Sequence, residues 1–219
     1  MILPVSRPAR SSGNNAVNKL KVQIIPVTPF QQNCALIWNT DSLKGAVIDP
    51  GGDVHKITKA VKAAGVTVET IFLTHGHLDH AAGATELAQL LEVPIVGPQL
   101  GDKFLLDSLP EQAIRFGVHG LTVVKPDQWL NEGDTISIGG ESFEVLHCPG
   151  HTPGHVVFVN KPMKFGIFGD VLFRNSVGRT DFEYGNHDDL ISAITTKLMV
   201  LPDDFTFICG HGESSTVGA

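Results

Sequence analysis

The chain has 219 residues, of which 42% are hydrophobic and 18% are charged, and its formal net charge is -7. This length fits one sizeable domain with a well-packed core. The acidic balance argues against nucleic acid as a partner, because phosphate contacts need a basic face. No apolar stretch approaches the roughly 20 residues of a membrane span, so no membrane association is expected.

The three cysteines, Cys34, Cys148 and Cys209, form no close pair along the sequence. An odd number of scattered cysteines provides no disulfide framework, which favours a reducing compartment. We therefore predict a cytoplasmic protein. We also interpret Cys148 as a structural residue, because a free cysteine usually behaves as a small buried hydrophobe.

The first 20 residues differ in composition from the rest of the chain. They contain Arg7, Arg10 and Lys19 but no acidic residue, together with several Ser, Asn and Pro. This composition is typical of segments that bury too little apolar surface to fold, so we predict a disordered extension over residues 1–20. An organellar presequence is the alternative, since presequences are also rich in Arg and poor in acidic residues.

Regular patterns begin at Lys21 and continue to the end of the chain. Short apolar runs between turn-forming residues predict strands, and apolar spacings of three and four predict helices. The predicted strands cover residues 22–27, 35–38, 45–48, 66–73, 93–96, 135–138, 144–147, 155–160, 165–168 and 205–209. The predicted helices run from a cap at Asp53 to about residue 64, from 81 to 91 and from 188 to 201.

Residues 98–130 are predicted to form a short helix and an irregular connection. Strands and helices alternate in both halves of the chain, which favours an α/β domain over residues 21–219. Its expected architecture is two β-sheets packed together with helices outside. Histidines and aspartates directly follow several predicted strands, where loops from both halves can converge.

The segment at residues 74–80 reads THGHLDH and is the strongest functional signal. It provides His75, His77, Asp79 and His80 as potential ligands, and imidazole and carboxylate groups suit zinc, manganese or iron. On a tight loop, the first two can point one way and the last two another, so one loop can serve two adjacent metals. A polar surface loop that contains three histidines by chance is the alternative.

Three later residues complete the candidate set: His151 in HCPGHTPGH, Asp170 in FGD and His211 in ICGHG. A single His or Asp at a strand end is more often structural, but three of them behind the first motif indicate a metal site. The total exceeds the four positions that one zinc needs. We assign His75, His77 and His151 to one ion, and Asp79, His80 and His211 to a second. Asp170 can bridge the two ions, because a carboxylate has two oxygens.

The motif His-x-His-x-Asp-His, followed by His, Asp and His in this order, resembles that of the metallo-β-lactamase superfamily. The bridging Asp is similar to that of the glyoxalase II branch. The segments IIPVTPFQQNC, DPGGD, THGHLDHAAG, HCPGHTPGHVVF and GRTDF look like those of short bacterial glyoxalase II proteins, over about residues 21–217. The resemblance implies an αββα sandwich of two mixed β-sheets packed face to face with helices outside. Because the chain ends eight residues after His211, we expect no C-terminal helical domain of the kind that two-domain glyoxalase II proteins carry.

The same resemblance implies metal-dependent hydrolysis of a glutathione thioester similar to S-lactoylglutathione, which gives a hydroxy acid and glutathione. Two divalent ions are expected, with zinc favoured over iron or manganese, and a hydroxide that bridges them would attack the carbonyl carbon. Asp79 and Asp170 are the predicted catalytic residues, the first as a ligand that orients the hydroxide and the second as the bridge. The expected partner is this small molecule, and the chain is expected to be a monomer or a small homo-oligomer.

Four further residues are candidates around the site. His155 and Asp49 are predicted to support the ligands from behind, because metal-bound histidines usually donate their other N–H; core polar residues are the alternative. Arg179 is predicted to bind a substrate carboxylate through its guanidinium fork, and the alternative is a structural pair with Asp181. Tyr184 is a candidate substrate contact, with packing as the alternative.

A different chemistry is also compatible with the motifs. Persulfide dioxygenases look similar and include a segment like GRTDF. Such an enzyme would bind one iron, through His75, His151 and Asp170, and would act on glutathione persulfide. A nuclease of the same superfamily is disfavoured by the acidic balance, and a metal-dependent interaction module without activity is disfavoured by the complete ligand set.

Overall fold

The computed structural model describes residues 2–4, 19–115, 117 and 120–219. Its first sheet has six strands in chain order. These strands are β1 (Ile2–Pro4), β2 (Leu20–Val27), β3 (Gln32–Asn39), β4 (Lys44–Ile48), β5 (Thr67–Phe72) and β6 (Ile95–Val96). Strands β1 to β4 pair antiparallel, whereas β4, β5 and β6 pair parallel, so the sheet is mixed.

The second sheet is formed by the C-terminal half. The strands of this half are β7 (Thr135–Ile138), β8 (Glu141–His147), β9 (Val156–Asn160), β10 (Phe165–Ile167), β11 (Leu172–Phe173), β12 (Ser176–Val177), β13 (Thr206–Ile208) and β14 (Ser215–Thr216). The sheet order is β14-β13-β10-β9-β8-β7, and β11 and β12 pair separately. Strand β13 is parallel to β10, and the other pairs in this sheet are antiparallel.

Helices cover the outer faces of both sheets. They are α1 (Val54–Ala64), α2 (Leu78–Ala81), α3 (Ala84–Leu91), α4 (Lys103–Asp107), α5 (Leu109–Arg115) and α6 (His187–Ala193). A 3-10 turn at Leu100–Asp102 precedes α4, and a π-helical segment at Ile194–Leu198 follows α6. Within the described ranges, no helix combines the length and the apolar character needed to cross a bilayer.

The central strands are buried on both faces, and alternate residues enter different cores. In β3, Leu36 packs in a core with α1 and α3, whereas Ile37 lies in the core between the two sheets. In β9, Phe158 faces the first sheet and Val159 packs in the core with α6. This alternation follows from the two-residue period of a strand. The predicted αββα sandwich is confirmed.

Every predicted strand is present, with ends that differ by at most three residues. The predicted helix at 81–91 is two helices, because Gly83 lies against the chain near Pro50 and donates its N–H to the Pro50 carbonyl at 2.8 Å. Asp53 does precede α1, but its side chain makes no capping hydrogen bond and instead accepts one from the Thr28 N–H at 2.9 Å.

The N-terminal segment differs in part from the prediction. Ile2–Pro4 form a strand that pairs with β2, where a disordered extension was expected, and β2 already starts at Leu20. The rest of that prediction, over residues 5–18, lies outside the described residues.

The last predicted helix also differs. It ends as an α-helix at Ala193 and widens into a π-helical segment, in which the Met199 N–H bonds the Ile194 carbonyl at 2.9 Å. The hydroxyl groups of Thr195 and Thr196 bond carbonyls one turn back, at 2.6 and 2.7 Å, which is a known cause of local bending.

Candidate metal centre

Three histidine rings converge where strands of the two sheets end. His75 and His77 follow β5 and belong to the first sheet, whereas His151 follows β8 in the second sheet. Nδ1 of His77 lies 3.0 Å from Nε2 of His75 and 3.0 Å from Nε2 of His151. Nitrogens that share a tetrahedral zinc lie about 3.4 Å apart, given Zn–N bonds of about 2.0–2.1 Å. These three rings, the three-histidine group, can therefore hold one cation with little movement.

The outer nitrogen of each ring faces an oxygen. Nδ1 of His151 donates to the Arg179 carbonyl at 2.8 Å, which leaves Nε2 with its lone pair. Nδ1 of His75 lies 3.1 Å from the Thr74 hydroxyl, and Nε2 of His77 lies 2.9 Å from the Tyr184 hydroxyl. Partners of this kind fix the tautomer and the orientation of a ligating ring. The inner nitrogens thus present lone pairs to a common point.

A second group of donors lies beside the first. Nε2 of His211, after β13, is 3.1 Å from Oδ2 of Asp79, and Nε2 of His80 is 3.9 Å from the same oxygen. Asp79 and His80 lie in α2, in the first turn after the His75–His77 loop. The donor atoms of these three residues all lie within 4.8 Å of one another, which suits a second cation.

Asp170 lies between the two groups. Its Oδ1 is 3.4 Å from Nε2 of His80, and its Oδ2 is 3.6 Å from Nε2 of His151 and 3.7 Å from Nε2 of His211. The loop after β10 delivers it there, with Gly169 at a φ of 51°. One carboxylate therefore faces donors of both groups, which is the geometry that the predicted bridge requires.

The donor set fits divalent cations on an observation that is independent of the motif. Nε2 of His80 and Oδ1 of Asp170 are buried polar atoms without a hydrogen-bond partner. Buried polar groups in folded proteins almost always have a hydrogen-bond partner. A buried donor or acceptor without one points to a bound ion or water. The structure brings all seven predicted ligands together around these two atoms.

Asp49 lies behind both candidate ligand groups and contacts one directly and the other through Thr74. Its Oδ2 lies 2.9 Å from Nδ1 of His80 and accepts a hydrogen bond from the Thr74 hydroxyl at 2.6 Å. Its Oδ1 accepts the Thr74 N–H at 2.7 Å. Through Thr74 it also reaches Nδ1 of His75. Because these bonds occupy both of its oxygens, Asp49 is an outer partner of the ligands.

His155 is buried beside the ligands but holds the backbone, not a ligand side chain. Its Nε2 accepts a hydrogen bond from the Asp170 N–H at 3.0 Å, and its ring stacks on His75 with centroids 4.6 Å apart. Its Nδ1 is buried without a partner. His155 therefore fixes where the loop after β10 places Asp170.

Electrostatics separate the two ligand groups. Burial, together with the neighbouring histidines, lowers the pKa of His75 well below its usual value and that of His77 to about 3. Burial also lowers the pKa of His80, but Asp170 and Asp79 outweigh it and raise that pKa well above its usual value. The hydrogen bond to Asp79 raises the pKa of His211. Burial also lowers the pKa of His151, so all three rings of the three-histidine group favour the neutral form that can bind a cation.

A cavity of about 840 Å³ opens onto the centre. Ligands form its floor, and its walls are mainly apolar. The wall residues include Phe30, Phe104, Leu105, Phe173, Phe182 and Tyr184. This size falls within the usual range for small-molecule sites.

Arg179 lies at the rim of this cavity and pairs with Asp181. Its Nε and Nη2 each donate to a carboxylate oxygen at 2.7 Å, and its guanidinium lies 4.5 Å from the centre of the Phe182 ring. Arg179 therefore forms the structural pair with Asp181 that was the alternative interpretation. It also lines the cavity. Tyr184 stacks on Phe182 with centroids 5.2 Å apart, and burial raises the pKa of its hydroxyl to about 12.

Two buried residues near the ligands had no sequence signal. Nε2 of Gln32 lies 3.4 Å from Nδ1 of His80, at the start of β3. Asp102 joins the two histidine-bearing loops and lies in the connection where the pattern was weakest. Cys148 is buried, and burial raises the pKa of its thiol to about 12, which agrees with a structural role.

The chain is similar in sequence to known proteins. A family model described as the metallo-β-lactamase superfamily matches residues 27–211. Hydroxyacylglutathione hydrolase GloC of Haemophilus influenzae is 47% identical over 200 residues, which cover 91% of this chain and 94% of that protein. The probable metallo-hydrolase YqgX of Bacillus subtilis is 36% identical over 90% of this chain and 93% of its own length.

Two solved structures are similar to this chain in fold as well as in sequence. The crystal structure of BLEG-1 B3 metallo-beta-lactamase has a TM-score of 0.82 at 32% identity and covers 90% of this chain and 94% of its own. The structure of TTHA1623 in a di-iron-bound form has a TM-score of 0.79 at 30% identity and covers 90% and 96%. The match extends over the ligand-bearing loops of both halves, and the chain belongs to the metallo-β-lactamase superfamily.

Proposed function

We propose that the chain is a binuclear metallohydrolase that cleaves glutathione thioesters of the S-lactoylglutathione type. The observation that carries this proposal is the position of Asp170, whose carboxylate faces both the three-histidine group and the pair His80 and His211. A carboxylate between two sets of nitrogen donors suits two adjacent cations. The relative named hydroxyacylglutathione hydrolase, with which the chain shares 47% identity, supports the substrate class.

Divalent cations in such a site supply Lewis-acid polarisation and a water of lowered pKa. The residues of the chain position the reactants around them. Asp79 lines the cavity, where its carboxylate can orient the attacking water. The water loses a proton to solvent as its oxygen bonds to the acyl carbon. The tetrahedral adduct then collapses with cleavage of the C–S bond, and the bonding electron pair leaves with the thiolate sulfur. Because a thiol has a reference pKa of about 8.5, the thiolate needs no proton donor to leave.

Zinc is the proposed metal, with iron or manganese as the other candidates, since His and Asp ligands suit all three. The cavity provides room for an extended thioester, and its mainly apolar walls can pack against the carbon chain of the substrate. Arg179 at the rim is the proposed contact for a carboxylate of the glutathione part. The exposed guanidinium can exchange its pairing with Asp181 for a substrate carboxylate of the same shape.

The experiment that tests this proposal combines metal content with turnover. The purified chain is assayed for bound metals and for hydrolysis of S-lactoylglutathione, followed by loss of the thioester absorbance. We expect about two metals per chain and efficient turnover, both of which are lost after dialysis against a chelator and restored by zinc. One iron per chain without turnover would overturn the proposal, and oxygen consumption with glutathione persulfide would then replace it.

The persulfide dioxygenase alternative is not favoured. Such an enzyme would bind one iron through His75, His151 and Asp170. The other four candidate ligands would then have no role. Two of these, His80 and His211, lie within 3.7 Å of the Asp170 carboxylate. The named relatives that bear on activity are also hydrolases.

A further inference from the structure

Asp102 is a buried carboxylate that contacts no ligand, yet it touches both loops that carry the three-histidine group. Its Oδ2 accepts hydrogen bonds from the Gly76 N–H at 2.8 Å and from the Thr152 hydroxyl at 2.7 Å. Its Oδ1 accepts one from the Gly154 N–H at 2.5 Å. The side chain is fully buried, at the end of the 3-10 turn that precedes α4.

These contacts are specific to one of the two ligand groups. Gly76 lies between His75 and His77, and Thr152 directly follows His151. The first loop follows a strand of the first sheet, and the second loop follows a strand of the second. The carboxylate thus joins two loops that no strand pairing connects, at the point where their ligands must meet.

The segment around Asp102, from Gln99 to Leu105, packs closely against the loops that contain Gly76 and Gly154. A Cβ atom at Gly76 would lie 2.9 Å from Cβ of Leu105, and a Cβ atom at Gly154 would lie 2.4 Å from the Asp102 nitrogen. The Gln99 N–H also bonds the Gly154 carbonyl at 3.0 Å. Both loops therefore pack directly against the residues that flank Asp102.

The residue type matters because all three partners are donors. A carboxylate can accept from all of them, and such charge-assisted bonds are stronger than neutral ones. An asparagine of the same shape would turn its amide N–H₂ towards at least one donor. Burial raises the pKa of Asp102 to about 6 in spite of its three bonds.

We infer that Asp102 is a positioning residue that sets the spacing of the two loops and thereby the cation affinity of the three-histidine group. The inference rests on the proposed metal site but not on the proposed substrate. It predicts an unequal effect, because Gly76 and Thr152 directly neighbour ligands of the three-histidine group, whereas the segments that carry Asp170 and His211 make none of the three bonds. Residues that support ligands from behind typically change metal affinity about 10- to 100-fold.

The test measures zinc binding directly. Metal-free wild type, Asp102→Asn, Thr152→Val and Thr152→Ser are titrated with zinc in competition with a chromophoric chelator. We expect Asp102→Asn to weaken one of the two zinc positions by about 10- to 100-fold and to leave the other near wild type. Thr152→Val, which loses a single bond, should weaken the same position less, and Thr152→Ser, which keeps the hydroxyl, should match wild type.

Asp127→Asn is the matched control, because Oδ2 of Asp127 also accepts a backbone N–H, from Ile95 at 2.8 Å, but outside the metal loops. It should bind zinc as wild type does. Wild-type affinity at both positions in Asp102→Asn would overturn the inference. If that variant does not fold, equal zinc affinities in Thr152→Val and Thr152→Ser would overturn it. Failure of wild type to hydrolyse S-lactoylglutathione would contradict the proposed substrate and leave the zinc result standing.

Discussion

The hydroxyl group of Tyr184 lies 2.9 Å from Nε2 of His77 and links the cavity wall to a ligand. We expect Tyr184→Phe to weaken cation binding by about 10-fold, because the variant loses an outer partner of a ligand. The ring itself should stay in place, since it stacks on Phe182 and meets Phe104 edge-on. Zinc competition titration measures the effect, and an unchanged affinity together with a raised KM would instead identify a substrate contact.

The Asp170 carboxylate faces donors of both candidate ligand groups. Asp170→Asn keeps the shape but removes the charge and one acceptor oxygen from the point between the two groups. We expect turnover to fall by more than about 100-fold, because even outer partners cost 10- to 100-fold. Metal content should fall as well. Near-wild-type turnover with two bound metals would contradict the bridging role.

Sequence motifs indicated the candidate ligands but not the residues that hold these candidates in place. The segment at 74–80 is recognisable from the sequence because several potential metal ligands occur within a few positions. Asp102 and Gln32 are single polar residues in stretches of unrelated pattern, and only the fold brings them beside the site. The role of the Arg179 carbonyl as the acceptor for His151 has no sequence signal, because every residue has a carbonyl.

The segment between β12 and α6 forms the rim of the cavity. We expect Arg179→Ala to raise KM for the glutathione thioester by about fivefold, with kcat near wild type, since it removes an exposed contact and no ligand. Asp181→Ala serves as the comparison, because it frees the guanidinium and should leave KM unchanged or lower it. If both variants raise KM equally, the Arg179–Asp181 pair acts only to hold the rim.

Strands with clear alternation or long apolar runs were predictable to within three residues, because one face of β7 is exposed whereas both faces of β9 are buried. The break at Gly83 and the π-helical segment after α6 could not be predicted from the sequence pattern. The first depends on a contact with a residue distant from the helix, and the second depends on hydroxyl groups of that turn. The short strands β11, β12 and β14 have too few residues to show a period. The connection at 98–130 has no single period because it contains three short helical pieces.

The proposed cations would link the two sheets, because their candidate ligands come from both. A cation that binds only the folded state at 1,000 times its Kd adds about 4 kcal/mol to the free energy of unfolding. We therefore expect a chelator to lower Tm by on the order of 10 °C for a domain of this size. Differential scanning calorimetry with and without chelator measures the shift. A chelator-independent Tm, with metal removal verified, would contradict the expected crosslink between the sheets.

Each sheet is built from one continuous stretch of chain, since the first ends at Val96 and the second begins at Thr135. The ligands divide in the same way, four before this boundary and three after it. Two fragments that meet at the exposed turn around Gly133 would each carry an incomplete set. Tight cation binding would then require reassembly of both fragments, so the metal centre would serve as a built-in reporter of fragment complementation.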